Sequence, residues 1–224
     1  MKNILFDVDG VIVDTEKLNL ESWKLIYKIK DELFSTLYFS ELVWNSWKEI
    51  TNKINSRYGA NYIYTGDIQK QRKEIVCGLL TKGQNEVYSD SAQLLKYLSE
   101  KWYDYGFVTT GNEEETKLKL WSDYIKEYTQ GRVIVSSSDI REEQRKPNEQ
   151  HYEVALKRTG FNSDNTIVVE DSPIWIISAV NSSVNSVYWI DRVWNLSNKL
   201  KQSEISSNKL TVIDTLTASN LQLI

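Results

Sequence analysis

Two carboxylates two residues apart, Asp7 and Asp9, stand directly behind a short apolar run, Ile4-Leu5-Phe6, and Gly10 follows them. Carboxylates can serve as nucleophile, as general acid or base, or as ligands of a hard cation. Residues i and i+2 of an extended segment face the same way. If the apolar run is a strand of an open α/β sheet, both acids therefore point into the crevice at its carboxyl end, where such sheets bind ligands. Gly10 lets the backbone turn sharply there. A calcium-binding EF-hand loop needs Gly at its sixth position and Glu at its twelfth, whereas Gly10 is fourth from Asp7 and the twelfth residue is Leu18, so that reading fails. An Asp-rich turn that simply ends a strand stays open at this point.

The elements that must position these acids follow from hydrophobic periodicity. Short apolar runs recur at Asn3 to Phe6, Gly106 to Val108, Arg132 to Val135, Thr166 to Val169 and Ser186 to Trp189, with helical periodicity between them. The alternation predicts a Rossmann-like parallel sheet flanked by helices, an α/β fold. Leu118, Trp121 and Ile125 follow the 3.6 spacing of one helix, and Tyr152, Ala155 and Leu156 that of another, which Gly160 ends. Leu210 to Ile213 reads as an edge strand. A long interval with no strand-like run separates the first two strands, which implies an insertion. Leu18, Leu25, Ile26 and Ile29 form one helical stripe, Ile68, Ile75, Val76, Leu79 and Leu80 another, and Trp44, Trp47 and Ile50 suggest a helix between Phe39 and Arg57. The expected division is a core of residues 1–14 and 83–224 with an inserted α-helical cap at 15–82.

Composition narrows the classes. A chain of 224 residues, 41% apolar, with 8 Trp and 13 Tyr, can bury a sizeable core, so disorder is excluded. A net charge of -4 and a pI near 5.3 argue against a nucleic-acid partner. A lone cysteine, Cys77, excludes an internal disulfide and is read as a small buried residue. No stretch approaches the 18 apolar residues of a membrane span, so a cytoplasmic protein without membrane contact is expected.

The stretch Asp7 to Val11, continuing to Asp14-Thr15-Glu16, resembles the first motif of the haloacid dehalogenase-like hydrolases, the capped phosphatases and phosphomutases. Val108-Thr109 resembles the family's second motif, Lys146-Pro147 its third, and Val168-Val169-Glu170-Asp171-Ser172-Pro173 its fourth, in the family's order along nearly the whole chain. The resemblance implies that Asp7 is the nucleophile and Asp9 the general acid and base. Phosphoryl transfer also needs in-line positioning and a cation on the equatorial oxygens. Mg²⁺ takes oxygen ligands, so Asp7, the backbone carbonyl of Asp9 and the side chain of Asp171 are the expected ligands, with Glu170 bonding a metal water. Thr109 offers a hydroxyl, and the N–H groups of Thr110 and its neighbours lie where the chain turns toward a helix, a favourable place for phosphate. The plain alternative is a helix-capping turn. Lys146 would neutralise Asp7 and phosphate together, its alternative being a solvated lysine in the charged run Arg141 to Lys146. His151 is read as a surface or helix-packing residue, and Trp44 and Trp47 as core.

Two departures from the family pattern stand out. Trp175 and Ser183 occupy positions after the fourth motif where glycines are common, and the Gly-Arg substrate loop of many relatives is not recognisable in the cap. The resemblance implies a phosphatase that releases phosphate from a small phosphorylated metabolite, with a phosphomutase resembling β-phosphoglucomutase as the alternative. A binding protein without catalysis has no need of Asp7, Asp9, Thr109, Lys146 and Asp171 together. A dehalogenase needs neither Mg²⁺ nor an acid at Asp9.

Overall fold

The computed structural model describes residues 2–28, 42, 47–144, 148–192 and 207–224. Ile29, Trp44 and Lys146 lie outside them. The described chain divides into two compact units, Met1–Thr15 with Asn85–Ile224, and Glu16–Gln84.

Among the described residues the first unit carries six strands, β1 (Asn3–Phe6), β2 (Tyr105–Val108), β3 (Ile134–Val135), β4 (Thr166–Glu170), β5 (Ser186–Ile190) and β6 (Leu210–Ile213). They pair in parallel in the order β3-β2-β1-β4-β5-β6, with β6 at one edge as the sequence suggests. The expected α/β fold is thus what the chain adopts. Successive side chains of a strand point to opposite faces. Accordingly Ile4, Phe6, Tyr105, Phe107, Ile167 and Val169 pack with Leu94, Leu95 and Leu98 on one side. Leu5, Val108, Val168 and Val187 pack with Tyr152, Ala155, Ile176 and Ala179 on the other. Because both faces are covered, the central strands read as unbroken apolar runs.

In the second unit, α1 (Thr15–Tyr27), α2 (Trp47–Tyr58) and α3 (Gly66–Thr81) are the helices among the described residues. Tyr27 is a centre of its packing. Its ring stacks on Trp23 at 5.3 Å and meets the edge of Tyr62 at 4.7 Å, and its hydroxyl shares a 2.7 Å hydrogen bond with Thr51. The buried stripe of α1 runs through Leu18, Trp23 and Tyr27, which turns Leu25 outward to 57% exposure and corrects its expected place on the apolar face. Cys77 on α3 is half-buried, not buried as read from its type.

Among the described residues the first unit carries five α-helices: α4 (Ser89–Glu100), α5 (Glu113–Leu120), α6 (Lys126–Thr129), α7 (Gln150–Thr159) and α8 (Pro173–Asn181). The single helix expected through Leu118, Trp121 and Ile125 is two. After α5 the Ser122 carbonyl accepts from Ile125 N and Lys126 N, and Thr129 Oγ1 bonds the Leu120 carbonyl. A serine at that point competes with helix by favouring turns. Gly160 ends α7 in the left-handed conformation, φ 71°, as its position foretells.

A polar tie fastens the segment after β1 to the rest of this unit. Arg192 Nη1 lies 2.6 Å from Asp90 Oδ2, and its Nη2 donates to the Val11 carbonyl at 3.1 Å and to Ser91 Oγ at 2.9 Å. Asp90 also accepts from Leu216 N and Ser91 N. Burial works to raise the Asp90 carboxyl, but the Arg192 hydrogen bond and the backbone donors outweigh it and hold it below the ordinary value of 3.8. A depressed carboxyl contributes stability that is full above the unfolded value and is lost as pH falls through the folded one. Asp90→Asn is therefore expected to destabilise the protein by about 1–3 kcal/mol, between the values for an exposed and a buried pair, because this pair is half-buried. In urea melts the gap between wild type and variant should hold from pH 7 down to about 4 and shrink below that.

Candidate active site

The site lies at the carboxyl ends of β1, β2 and β4. Asp7 follows β1 and is buried, and its N–H donates to the Val169 carbonyl at 2.9 Å, so the β1–β4 pairing carries on into it. From there the chain folds into a tight loop in which Ile12 N and Val13 N donate to the Val8 carbonyl and Gly10 N to the Val13 carbonyl. Asp7 and Asp9 thus lie beyond the strand proper, and their carboxylates meet different neighbours.

The Asp7 carboxylate belongs with Glu170 and Asp171, whose ligand oxygens all lie within 4.8 Å of one another. The end of β4 supplies the other two: Glu170 is its last residue and is buried, and Asp171 is the next residue along. The Tyr152 hydroxyl, from α7, donates to Glu170 Oε1, and Asp171 N donates to Oε2 at 3.3 Å. Burial, followed by the charges of Glu170 and Asp7, pushes the Tyr152 phenol well above its ordinary value, so it stays a donor. The Trp189 indole holds the Asp171 carbonyl at 3.0 Å. Gly10 has φ 75°, and a Cβ there would stand 1.9 Å from Asp171 Oδ2. Only glycine lets the loop and Asp171 approach this closely.

Asp9 is held by other elements. Thr109 continues β2 by donating its N–H to the Val135 carbonyl, and its hydroxyl donates to Asp9 Oδ2 at 3.0 Å while accepting from Gly111 N at 2.9 Å. Lys119 Nζ reaches Asp9 Oδ1 at 2.6 Å from α5. Asn112 caps that helix by accepting from Glu115 N, so the capping turn read from the sequence is present. Thr110 is half-buried within the turn. The structure therefore gathers Asp7, Asp9, Thr109, Glu170 and Asp171, with Thr110 at the turn beside them. His151 is buried within α7, a packing position. Trp175 is half-buried on α8, and Ser183 lies beyond that helix, bonded through N and Oγ to the Glu153 carboxylate.

The residue that the sequence reading misses is Lys119. Its side chain is 2% exposed and pairs also with Glu115 at 2.7 Å, one helical turn back and equally buried. The same i,i+4 spacing in Glu113 and Lys117 gives an exposed pair, so charge pattern alone does not separate them. No signal in the sequence separates them: the fold buries Thr116 and Leu120 on one face of α5 and carries Glu115 and Lys119 inward beside them.

The donor set fits Mg²⁺. Three carboxylates at the ends of adjacent strands, two of them buried, offer hard oxygens to one point, as a cation with octahedral oxygen preference requires.

The sequence model of the haloacid dehalogenase-like hydrolases matches residues 4–189. The chain belongs to that family. Solved structures agree in fold across the whole chain. A protein from Thermotoga maritima assigned as a β-phosphoglucomutase is 15% identical, with 100% of this chain and 98% of that one covered and a TM-score of 0.72. One from Lactobacillus plantarum assigned as a phosphoglycolate phosphatase is 15% identical over 100% and 99% of the two chains, TM-score 0.71. CbbY from Rhodobacter sphaeroides, in complex with phosphate, is 17% identical over 99% of each chain, TM-score 0.73. No curated protein matches the sequence. The resemblance drawn from four motifs is thereby established as family membership. Among the described residues no helix is long and apolar enough to cross a membrane.

Proposed function

We propose that this haloacid dehalogenase-like hydrolase is a Mg²⁺-dependent phosphatase that removes phosphate from a small phosphorylated metabolite through an aspartyl-phosphate on Asp7. The observation that carries this reading is the separation of two neighbouring carboxylates into two environments: Asp7 with Glu170 and Asp171, Asp9 with Thr109 and Lys119. Two acids two residues apart can then take two roles.

Asp7, Asp171 and the Asp9 carbonyl would hold the Mg²⁺, with Glu170 beside them on a metal water, anchored by Tyr152. When bound, the ion neutralises phosphate oxygens and aligns the phosphoryl group. A carboxylate oxygen of Asp7 attacks phosphorus as the bond to the leaving oxygen breaks, and Asp9 gives that oxygen a proton. Water then attacks the phosphoryl group on Asp7, Asp9 takes its proton, and inorganic phosphate leaves with the Asp7 carboxylate restored. The N–H of Thr110, in the turn after Thr109, would meet the developing negative charge, and Lys146 is the cation proposed to neutralise it.

A purified sample should hydrolyse a generic aryl phosphate with Mg²⁺, and a panel of sugar phosphates and nucleotides should contain a better substrate. Steady phosphate release supports the phosphatase. Phosphate passed back to substrate, with no net release, would make the protein a phosphomutase using the same residues. Failure to hydrolyse or transfer phosphate from any member of the panel would refute both.

A further inference from the structure

Asp9 is gripped through both its oxygens, by a hydroxyl from the end of β2 and an ammonium from α5. Neither donor is loose. Thr109 Oγ1 also accepts from Gly111 N, and Lys119 Nζ is shared with Glu115 Oε1. A buried ammonium and carboxylate lose their hydration and gain stability only where geometry and further bonds are good, so apolar residues of similar volume would serve packing at least as well. Glu113 and Lys117, on the same short helix, show that α5 can carry such a pair in solvent. What the buried pair adds is a fixed point charge at one Asp9 oxygen.

We propose that Lys119, braced by Glu115, is a positioning residue that aims the Asp9 carboxylate for the hydrolysis of the aspartyl-phosphate. The inference rests on the phosphoryl-transfer reading above. In that second step the water oxygen bonds phosphorus, the bond between Asp7 and phosphorus breaks, and the water proton goes to Asp9. Asp9 must therefore stand where the water arrives. The first step on an aryl phosphate asks less of it, because a phenolate leaves with little protonation. Loss of aim falls on the second step, and a misplacement of about 1 Å costs roughly a hundredfold.

Lys119→Met alone strands the Glu115 carboxylate beside Asp9 and risks the fold. The double variant Lys119→Met with Glu115→Gln keeps shape and removes both charges together, so it is the working test, with a thermal melt to show that it folds. Rapid mixing with an aryl phosphate separates the burst of phenol, which reads attack by Asp7, from the later steady rate, which reads hydrolysis. The expected result is a burst rate within about threefold of wild type and hydrolysis slower by about tenfold to a hundredfold. In the variant's crystal structure the Asp9 carboxylate should leave its place beside Thr109. Equal losses in both phases, or unchanged hydrolysis, would overturn the positioning role while leaving the phosphatase standing. If the wild type forms no aspartyl-phosphate, the phosphatase reading fails instead. The crystal structure then decides whether Lys119 holds Asp9 at all, an unmoved carboxylate overturning that too.

Discussion

Asp7→Asn is expected to abolish turnover while leaving the protein folded. An amide has almost the shape of the carboxylate but is a poor nucleophile, so a loss on the order of 10⁴-fold or more in kcat is expected, as when other enzymes lose the attacking group. Stability should move the other way. Asp7, Glu170 and Asp171 place oxygens within 4.8 Å of one another, and two like charges at that distance repel by roughly 3 kcal/mol at an effective dielectric of about 20. Removing one of the three relieves part of this, so without metal the variant should melt at or above the wild-type temperature. A circular-dichroism melt beside a rate assay measures both. A variant that keeps more than a small fraction of turnover would show that another residue attacks.

Exhaustive chelation is expected to cost nearly as much as loss of the nucleophile. The charge that Mg²⁺ neutralises in the transition state is worth several kcal/mol, about three powers of ten or more in rate. Binding the ion at a hundred times its dissociation constant adds about 2.7 kcal/mol, and for a chain of this length each kcal/mol raises the melting point by about 2–4 °C. A rise of about 5–10 °C on adding Mg²⁺ should therefore accompany recovery of activity, and Asp171→Asn should blunt both. Calcium should inhibit, because its larger and looser shell disturbs in-line geometry. Activity that survives chelation would refute the metal assignment.

The central strands were legible in the sequence because they are covered on both faces, which leaves apolar runs within Asn3–Phe6, Thr166–Glu170 and Ser186–Ile190, whereas the edge strand Leu210–Ile213 keeps Val212 exposed. Asp7, Thr109, Glu170 and Asp171 were legible for a related reason, since each sits at or just past the carboxyl end of such a run. The helix after Thr109 was less so. Trp121 and Ile125 keep helical spacing, yet Ser122 turns the chain and leaves Trp121 41% exposed at the end of α5. Leu25 fails in the same manner, because the buried stripe of α1 includes Trp23 and Tyr27, whose aromatic packing sets which side faces inward. Lys119 was not legible at all, because what makes it a site residue is a partner 110 positions away. Periodicity carries no information about such a pair, and Glu113 and Lys117 show the same spacing with the opposite outcome.

The strand order also sets a timetable for the making of the molecule. β1 is an interior strand, paired on one side with β2 and on the other with β4 in the register Asn3 to Thr166. During translation β1 therefore leaves the ribosome about 160 residues before β4, an interval of roughly 8–30 s at ordinary rates of synthesis. Throughout it Ile4, Leu5 and Phe6, all fully buried in the end, have at most one of their two neighbours to pair with. Asp7, one residue further on, gains its N–H bond to Val169 only when that partner appears. The nucleophile is thus made early and placed late, and a nascent chain halted before β4 has the attacking residue without the floor on which it works.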